Sequence, residues 1–239
     1  MSTNSQTNLE KIFCEIPIKT IDSFGYSARK KLIELHKINK GSIYKFEKSS
    51  KFYETLTELT QTKHNKGFQI RTSLGFADYY PKNGYLHLIE SSYDSQSMNI
   101  VQICFWNKTN NEKLVVIKEL HGMGFDYEDQ VLTFYIYDNN EFKSIKNSDV
   151  LEEIQISDVL DLDRIKLDNV DILEFKKLFP DILQLDYELP IEGKDIIFSI
   201  MIEEYSHENA EKINNKLKTY LYDSFVYKYI DGKFIIERY

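Results

Sequence analysis

The chain has 239 residues, with 30 Lys and Arg against 38 Asp and Glu for a net charge of −8, and is 42% hydrophobic and 14% aromatic. That composition excludes global disorder, and the acidic balance excludes a general nucleic-acid binder, whose surface would carry a basic footprint. No run approaches the roughly 18 consecutive apolar residues of a membrane-spanning helix, and two cysteines are too few for a disulfide-dense scaffold or a Cys-rich zinc fold.

The opening Met1-Ser-Thr-Asn-Ser-Gln-Thr-Asn8 has no charged n-region and no apolar h-region. It is read as a disordered polar tail over 1–8, ahead of a single α+β domain over 9–239 with candidate halves 9–146 and 147–239. Such a start suits a cytoplasmic protein. It also suits the tether of a periplasmic or cell-envelope lipoprotein whose signal has been removed, with Met1 standing in place of the lipidated Cys.

Leu9, Ile12, Phe13 and Ile16 fall at i, i+3, i+4 and i+7, which predicts a first helix, and Pro17 stops it. Ser27 is the candidate N-cap of a second helix that carries Leu32, Ile33, Leu35, His36 and Ile38 and ends at Gly41. From 42 to 146, β-branched and aromatic residues predict strands at Phe68–Ser73, Tyr85–Ser91, Asn99–Trp106, Lys113–Leu120 and Val131–Asp138. Turn signals at 81–84, 107–111 and 138–140 make them an antiparallel meander. Val131–Tyr137 is apolar on both faces, which places it centrally.

Asp168 and Asn169 are the candidate caps of a helix carrying Val170, Leu173, Phe175, Leu178 and Phe179, stopped by Pro180. Strands follow at 183–189 and 195–205. Ser206 is the candidate cap of a helix over 207–220, and Asp231-Gly232 between apolar runs is the strongest hairpin signal. The expected fold class is therefore α+β: N-terminal helices, an antiparallel meander sheet, then a smaller helix-plus-hairpin half. Tyr135, Tyr137, Asp138 and Phe142 are echoed by Tyr227, Tyr229, Asp231 and Phe234. A duplicated unit and ordinary hairpin chemistry both account for that echo.

Chemical motifs are few. The glycine-rich phosphate loops and the nucleophile elbow are missing, and the histidines at 36, 64, 87, 121 and 207 are never paired at ligand spacing. No metal, cofactor or catalytic residue is assigned. The segment 119–129 joins a His, two glycines and several carboxylates between two strong strands, and reads as a long connection on a rigid frame. His121 with Asp126 or Glu128 is the candidate acid–base or binding set there. Tyr79, Tyr80 and Tyr85 are candidate binding aromatics, and bracing of a hairpin by cross-strand pairs is their plainer role. Asp138 to Glu141 fails the calcium-loop spacing. Asp158, Asp161, Asp163, Asp168, Asp171 and Glu174 form an acidic run suited to a helix start or to docking a basic partner. Cys14 and Cys104 lie in apolar settings and are expected as buried free thiols, a disulfide being the alternative.

Ile16-Pro17, the Arg29-led helix ending near Gly41, the meander closing in Tyr135-Ile-Tyr137-Asp138 and the terminal hairpin from Tyr229 to Phe234 together resemble uncharacterised envelope proteins of Bacteroidetes. The resemblance touches scattered positions over most of the chain. It implies an envelope association and carries over no catalytic residue. The function expected is a non-enzymatic binding or interaction protein, with a protein partner that is basic. The alternatives are a cytosolic immunity or inhibitor-type protein and a hydrolase-like enzyme using the 119–129 segment.

Overall fold

The computed structural model describes residues 10–18, 25–27, 29–30, 33–34, 56–61, 68–72, 75–80, 83–91, 97–110, 112–123, 126–173, 183–202, 218–222 and 224–237. The expected tail, the end of the second helix at Gly41, the stop at Pro180 and the cap at Ser206 lie outside these residues. The chain divides into two compact units. One runs to Asn147 and takes in Ile191–Gly193; the other comprises Ser148–Pro190 and Lys194–Tyr239.

In the first unit eight antiparallel strands follow one another in chain order: β1 Leu56–Gln61, β2 Phe68–Thr72, β3 Gly75–Tyr80, β4 Tyr85–Ser91, β5 Ser97–Asn107, β6 Lys113–Met123, β7 Asp126–Asp138 and β8 Glu141–Ile145. The expected meander is thus present. The apolar Val131–Tyr137 run belongs to β7, which is seventh of eight and so next to an edge rather than central. It stays apolar on both faces because Leu132 and Phe134 are buried on one side and Tyr137 on the other, while Val131 is exposed.

The first helix, α1, is described at residues 10–15. Short helices are marginal in water by themselves and depend on packing. Ile12, Phe13 and Ile16 are fully buried against Tyr79, Leu86, Leu88, Val101, Ile103, Val115 and Ile117 of the sheet. At about 1.5–3 kcal/mol per fully buried large apolar side chain, these three contacts fix the helix in place. Phe13 meets Tyr79 edge-on, with ring centroids 5.6 Å apart. The second helical stretch, α2, is described at residues 26, 27, 29, 30, 33 and 34. Its entry lies before the expected cap at Ser27: Tyr26 and Ser27 are already helical, and the Arg29 N–H donates to the Gly25 carbonyl at 3.1 Å.

Arg29 links the two helices. Its side chain is buried, and Nη1 donates to the carbonyls of Phe13 at 2.9 Å and Ile16 at 3.0 Å. Those carbonyls end α1 where Pro17 forbids its continuation, so the guanidinium closes what the backbone leaves open. At the turn between β3 and β4, Gly84 has φ +69°, and a Cβ there would lie 2.6 Å from Cε1 of Phe105. Glycine is required at that position twice over, by conformation and by the ring packed on it.

The second unit holds α3 Ile156–Val159, α4 Leu162–Leu167 and a four-stranded antiparallel sheet of β9 Leu183–Glu188, β10 Ile196–Ile202, β11 Ser224–Ile230 and β12 Lys233–Glu237, in the order β12-β11-β10-β9. Phe198 stacks on Phe225 at 4.7 Å and lies 5.0 Å from Tyr227, making an aromatic face. Asp168 does not begin a helix as expected; it is the C-cap of α4, and its N–H donates to the Arg164 carbonyl. Asn169 follows with φ 54°, a left-handed position that Asn tolerates at a helix end. Two features masked this end in the sequence: the helix before it has only six residues, and Asp is a commoner signal for a start than for a stop.

Candidate functional site

The segment 119–129 is not a loop. β6 runs through Met123 and β7 begins at Asp126, so the described residues of the segment belong to strands. The ladder slips at one point: His121 pairs with Asp129 but Gly122 pairs with Tyr127, leaving Glu128 as the extra residue of a bulge. Asp126 stands opposite Met123. Register therefore sets neither Asp126 nor Glu128 against His121, and the carboxylate residue that it does place there is Asp129.

His121 gains its side-chain partner from the other side. Asn99 on β5 pairs with His121, and Glu90 on β4 pairs with Asn99, so three polar residues form a row across adjacent strands. Asn99 Nδ2 donates to Glu90 Oε2 at 3.4 Å, and His121 Nδ1 donates to Asn99 Oδ1. The direction of each bond follows from chemistry. A carboxylate only accepts, so the Asn99 amide nitrogen faces Glu90 and its oxygen faces the ring. Nδ1 then carries the proton, and in the neutral ring Nε2 holds the lone pair. His121 is exposed, while Glu90 and Asn99 are half-buried. By the two-residue alternation of strands, the row lies on the face that α1 covers further along. The result is a surface imidazole in a fixed tautomer, able to accept a proton at Nε2.

A second polar row crosses the opposite face, where His87, Gln102 and Lys118 pair in register across β4, β5 and β6. Lys118 is buried, and Gln102 Oε1 is a buried acceptor without a hydrogen-bond partner among the described residues. Sequence reasoning missed this row. Its signal was a single polar residue at alternating positions inside apolar strands, as in Leu86-His87-Leu88 and Ile117-Lys118.

The tyrosines are interior. Tyr79, Tyr80 and Tyr85 are all buried; Tyr80 and Tyr85 pair across the β3–β4 turn with their rings 5.8 Å apart. They brace the hairpin and offer no exposed ring. Burial also pushes the Tyr79 hydroxyl well above its ordinary range. Cys14 and Cys104 are both buried and outside any disulfide, and burial pushes the Cys104 thiol up to about 12. Neither is a poised thiolate.

The acidic run resolves into structural and surface carboxylates. Asp158 is buried and accepts from the Gln155 N–H at 2.8 Å, while Asp161 accepts from the Arg164 N–H at 3.0 Å as the N-cap of α4. These two serve the helix starts, as carboxylates at positive helix ends do. Asp168 accepts from the Tyr220 hydroxyl at 2.8 Å, and Asp171 from the Leu173 N–H at 2.9 Å. Asp163, Asp168 and Asp171 remain exposed. Between and beside them stand Leu167, 80% exposed, and Leu173, 65% exposed, the highest values among the large hydrophobics of the described residues. Leu160 and Ile165 face inward with Leu162 and Val170 packed on them, so the helix spends its apolar periodicity on the core and Leu167 falls outside it.

The chain matches no family model, no curated protein and no solved structure. Among the described residues no helix is long and apolar enough to cross a membrane, and no three His, Cys, Asp or Glu residues are grouped to hold a metal ion.

Proposed function

We propose that the chain is a non-enzymatic interaction protein that docks a basic protein partner on the acidic, leucine-bearing surface of α4 and the segment after it. The observation that carries this reading is the exposure of Leu167 and Leu173 amid Asp163, Asp168 and Asp171. Two large apolar side chains held in water beside a carboxylate cluster fit an interface with a desolvated centre and a charged rim. Of the two cations on α4, Arg164 lies over the Tyr220 ring at 5.5 Å and donates to the Thr219 carbonyl at 3.4 Å, which sets Lys166 against Asp163, Asp168 and Asp171 and leaves the acidic field dominant. With a net charge of −8, a positively charged partner is steered toward this chain.

The test is a photo-crosslinking residue placed at 167 or 173 in the protein's own cells, with a control at Ile235. The expected result is one protein adduct, carrying a basic surface, seen from 167 and 173 but not from 235 and weakened by added salt. Leu167→Ser with Leu173→Ser should then weaken that partner's binding by about tenfold or more. Adducts indistinguishable from the control, or undiminished binding by the double variant, would overturn the reading.

A second reading rests on a separate observation, the Glu90–Asn99–His121 row. A histidine fixed in one tautomer by an amide and a carboxylate is a competent general base, as the hydrolase alternative requires. Its test is hydrolysis of activated esters by the wild type and by His121→Ala. Turnover lost in the variant supports it; equal rates in both, or none in either, remove it.

A further inference from the structure

We propose that β8 is a self-association edge, on which a second copy of this chain pairs its own β8 antiparallel to the first. The inference stands apart from the docking surface proposed above and begins with two matching hairpins. β7 and β8 join through Asn139 and Asn140, with φ 48° and 67°, and β11 and β12 join through Asp231 and Gly232, with φ 44° and 89°. Both are two-residue turns with positive φ at both positions, the turn type that matches strand twist. In both, a Tyr–Phe pair follows one step from the turn: Tyr137 with Phe142 at 4.8 Å, and Tyr229 with Phe234 at 5.3 Å.

In such hairpins the residues flanking the turn exchange both ladder bonds, so the next residue along turns its N–H and C=O outward. β12 shows where those groups go. The Phe234 N–H donates to the Val150 carbonyl at 2.8 Å, the Phe234 carbonyl accepts from the Glu152 N–H at 2.9 Å, and the Ile236 N–H donates to Glu152 Oε2 at 2.8 Å. The chain seals that edge with its own residues 150–152. Phe142 and Ser144 hold the equivalent outward positions on β8, and no hydrogen bond reaches their backbone among the described residues. An unsealed strand edge is a template for another strand.

The side chains select a second copy as the occupant. Glu141 and Lys143 flank Phe142, are exposed and make no ion pair among the described residues. Lys143 adds its field at Glu112, whose own ion pair is with Lys108 at 2.8 Å. An antiparallel pairing centred on Phe142 sets Phe142 against the partner's Phe142. It also sets Glu141 against the partner's Lys143 and, by the two-fold axis, Lys143 against the partner's Glu141. A lone edge lysine usually guards against such pairing; here an opposite charge two residues away makes the edge complementary to itself.

Sedimentation equilibrium of the full chain over a wide concentration range tests this, with thermal melts to confirm that each variant is folded. The wild type is expected in monomer–dimer equilibrium. Lys143→Glu sets like charges opposite each other twice and should weaken association by about tenfold. Glu141→Lys together with Lys143→Glu restores both opposite-charge pairs and should return the affinity to within about twofold of wild type. A wild type that stays monomeric at every concentration, a Lys143→Glu variant that associates as well as the wild type, or a double variant that fails to recover overturns the proposal.

Discussion

Arg29 is the clearest case of a residue whose role comes from what folding brings to it. In the sequence it heads the run Arg29-Lys30-Lys31 and looks like surface charge. In the structure it is buried, and its partners are two carbonyls 16 and 13 positions earlier in the chain. Burial pulls its pKa down, yet a guanidinium keeps its charge, so both bonds are charge-assisted. Arg29→Ala leaves the two carbonyls without their donor and should cost about 2–4 kcal/mol, read as a lower urea midpoint at unchanged slope. Arg29→Lys should recover only part, because one ammonium reaches one carbonyl better than two. Cys104 gives the matching prediction in pH. Its thiol rises from 9.0 to about 12 in the folded chain because burial disfavours the thiolate. Its contribution is fully present below pH 9 and is lost as pH climbs through 12, at about 1.4 kcal/mol per pH unit. The burial that raises Tyr79 and Tyr227 acts in the same sense. Stability against pH should therefore fall less steeply above pH 9 in Cys104→Ala than in the wild type; parallel curves would refute the assignment.

At the scale of elements, local chemistry was legible and register was not. Turn residues and alternation placed β4 at its observed bounds and put the β11–β12 turn at Asp231-Gly232, because those signals lie within a few residues of one another. The strand character of 121–123 and 126–129 escaped notice because Gly122 and Gly124 read as a loop; cross-strand pairing with β5 and β7 overrides that local preference. The His121 row could not be read at all. Asn99 lies 22 residues and Glu90 31 residues before His121, and only the register of three strands brings them together. The tight turns carry a prediction of their own. Asn140 has φ 67°, and glycine adopts that conformation without the cost of a Cβ. Asn140→Gly should raise stability by about 0.5–1 kcal/mol, measured by denaturant titration, whereas no change would mean that the Asn140 side chain repays its backbone. That side chain does accept from the Tyr137 hydroxyl at 3.2 Å, so the gain should be larger when measured in a Tyr137→Phe background.

The whole molecule is ordered by strand length and neighbours. β5, β6 and β7 run 11, 11 and 13 residues, and each is flanked on both sides by partners in the ladder. Their buried positions include Val101, Ile103, Val115, Val116, Ile117 and Phe134 on alternating faces. Opening any of these amides exposes apolar surface on both faces and breaks two ladders, so it demands unfolding of the sheet. β8 has five residues, no buried ones, and one ladder partner. Hydrogen exchange should therefore rank the strands, with the amides of β5 and β6 exchanging only through global opening and those of β8 many times faster in the dilute monomer. A sheet built solely of sequence neighbours makes that gradient steep, because an edge strand can leave without disturbing any pairing beyond its one hairpin. Equal protection of β8 and β6 in dilute solution would mean that the meander opens as one cooperative unit, and that strand position does not set local stability here.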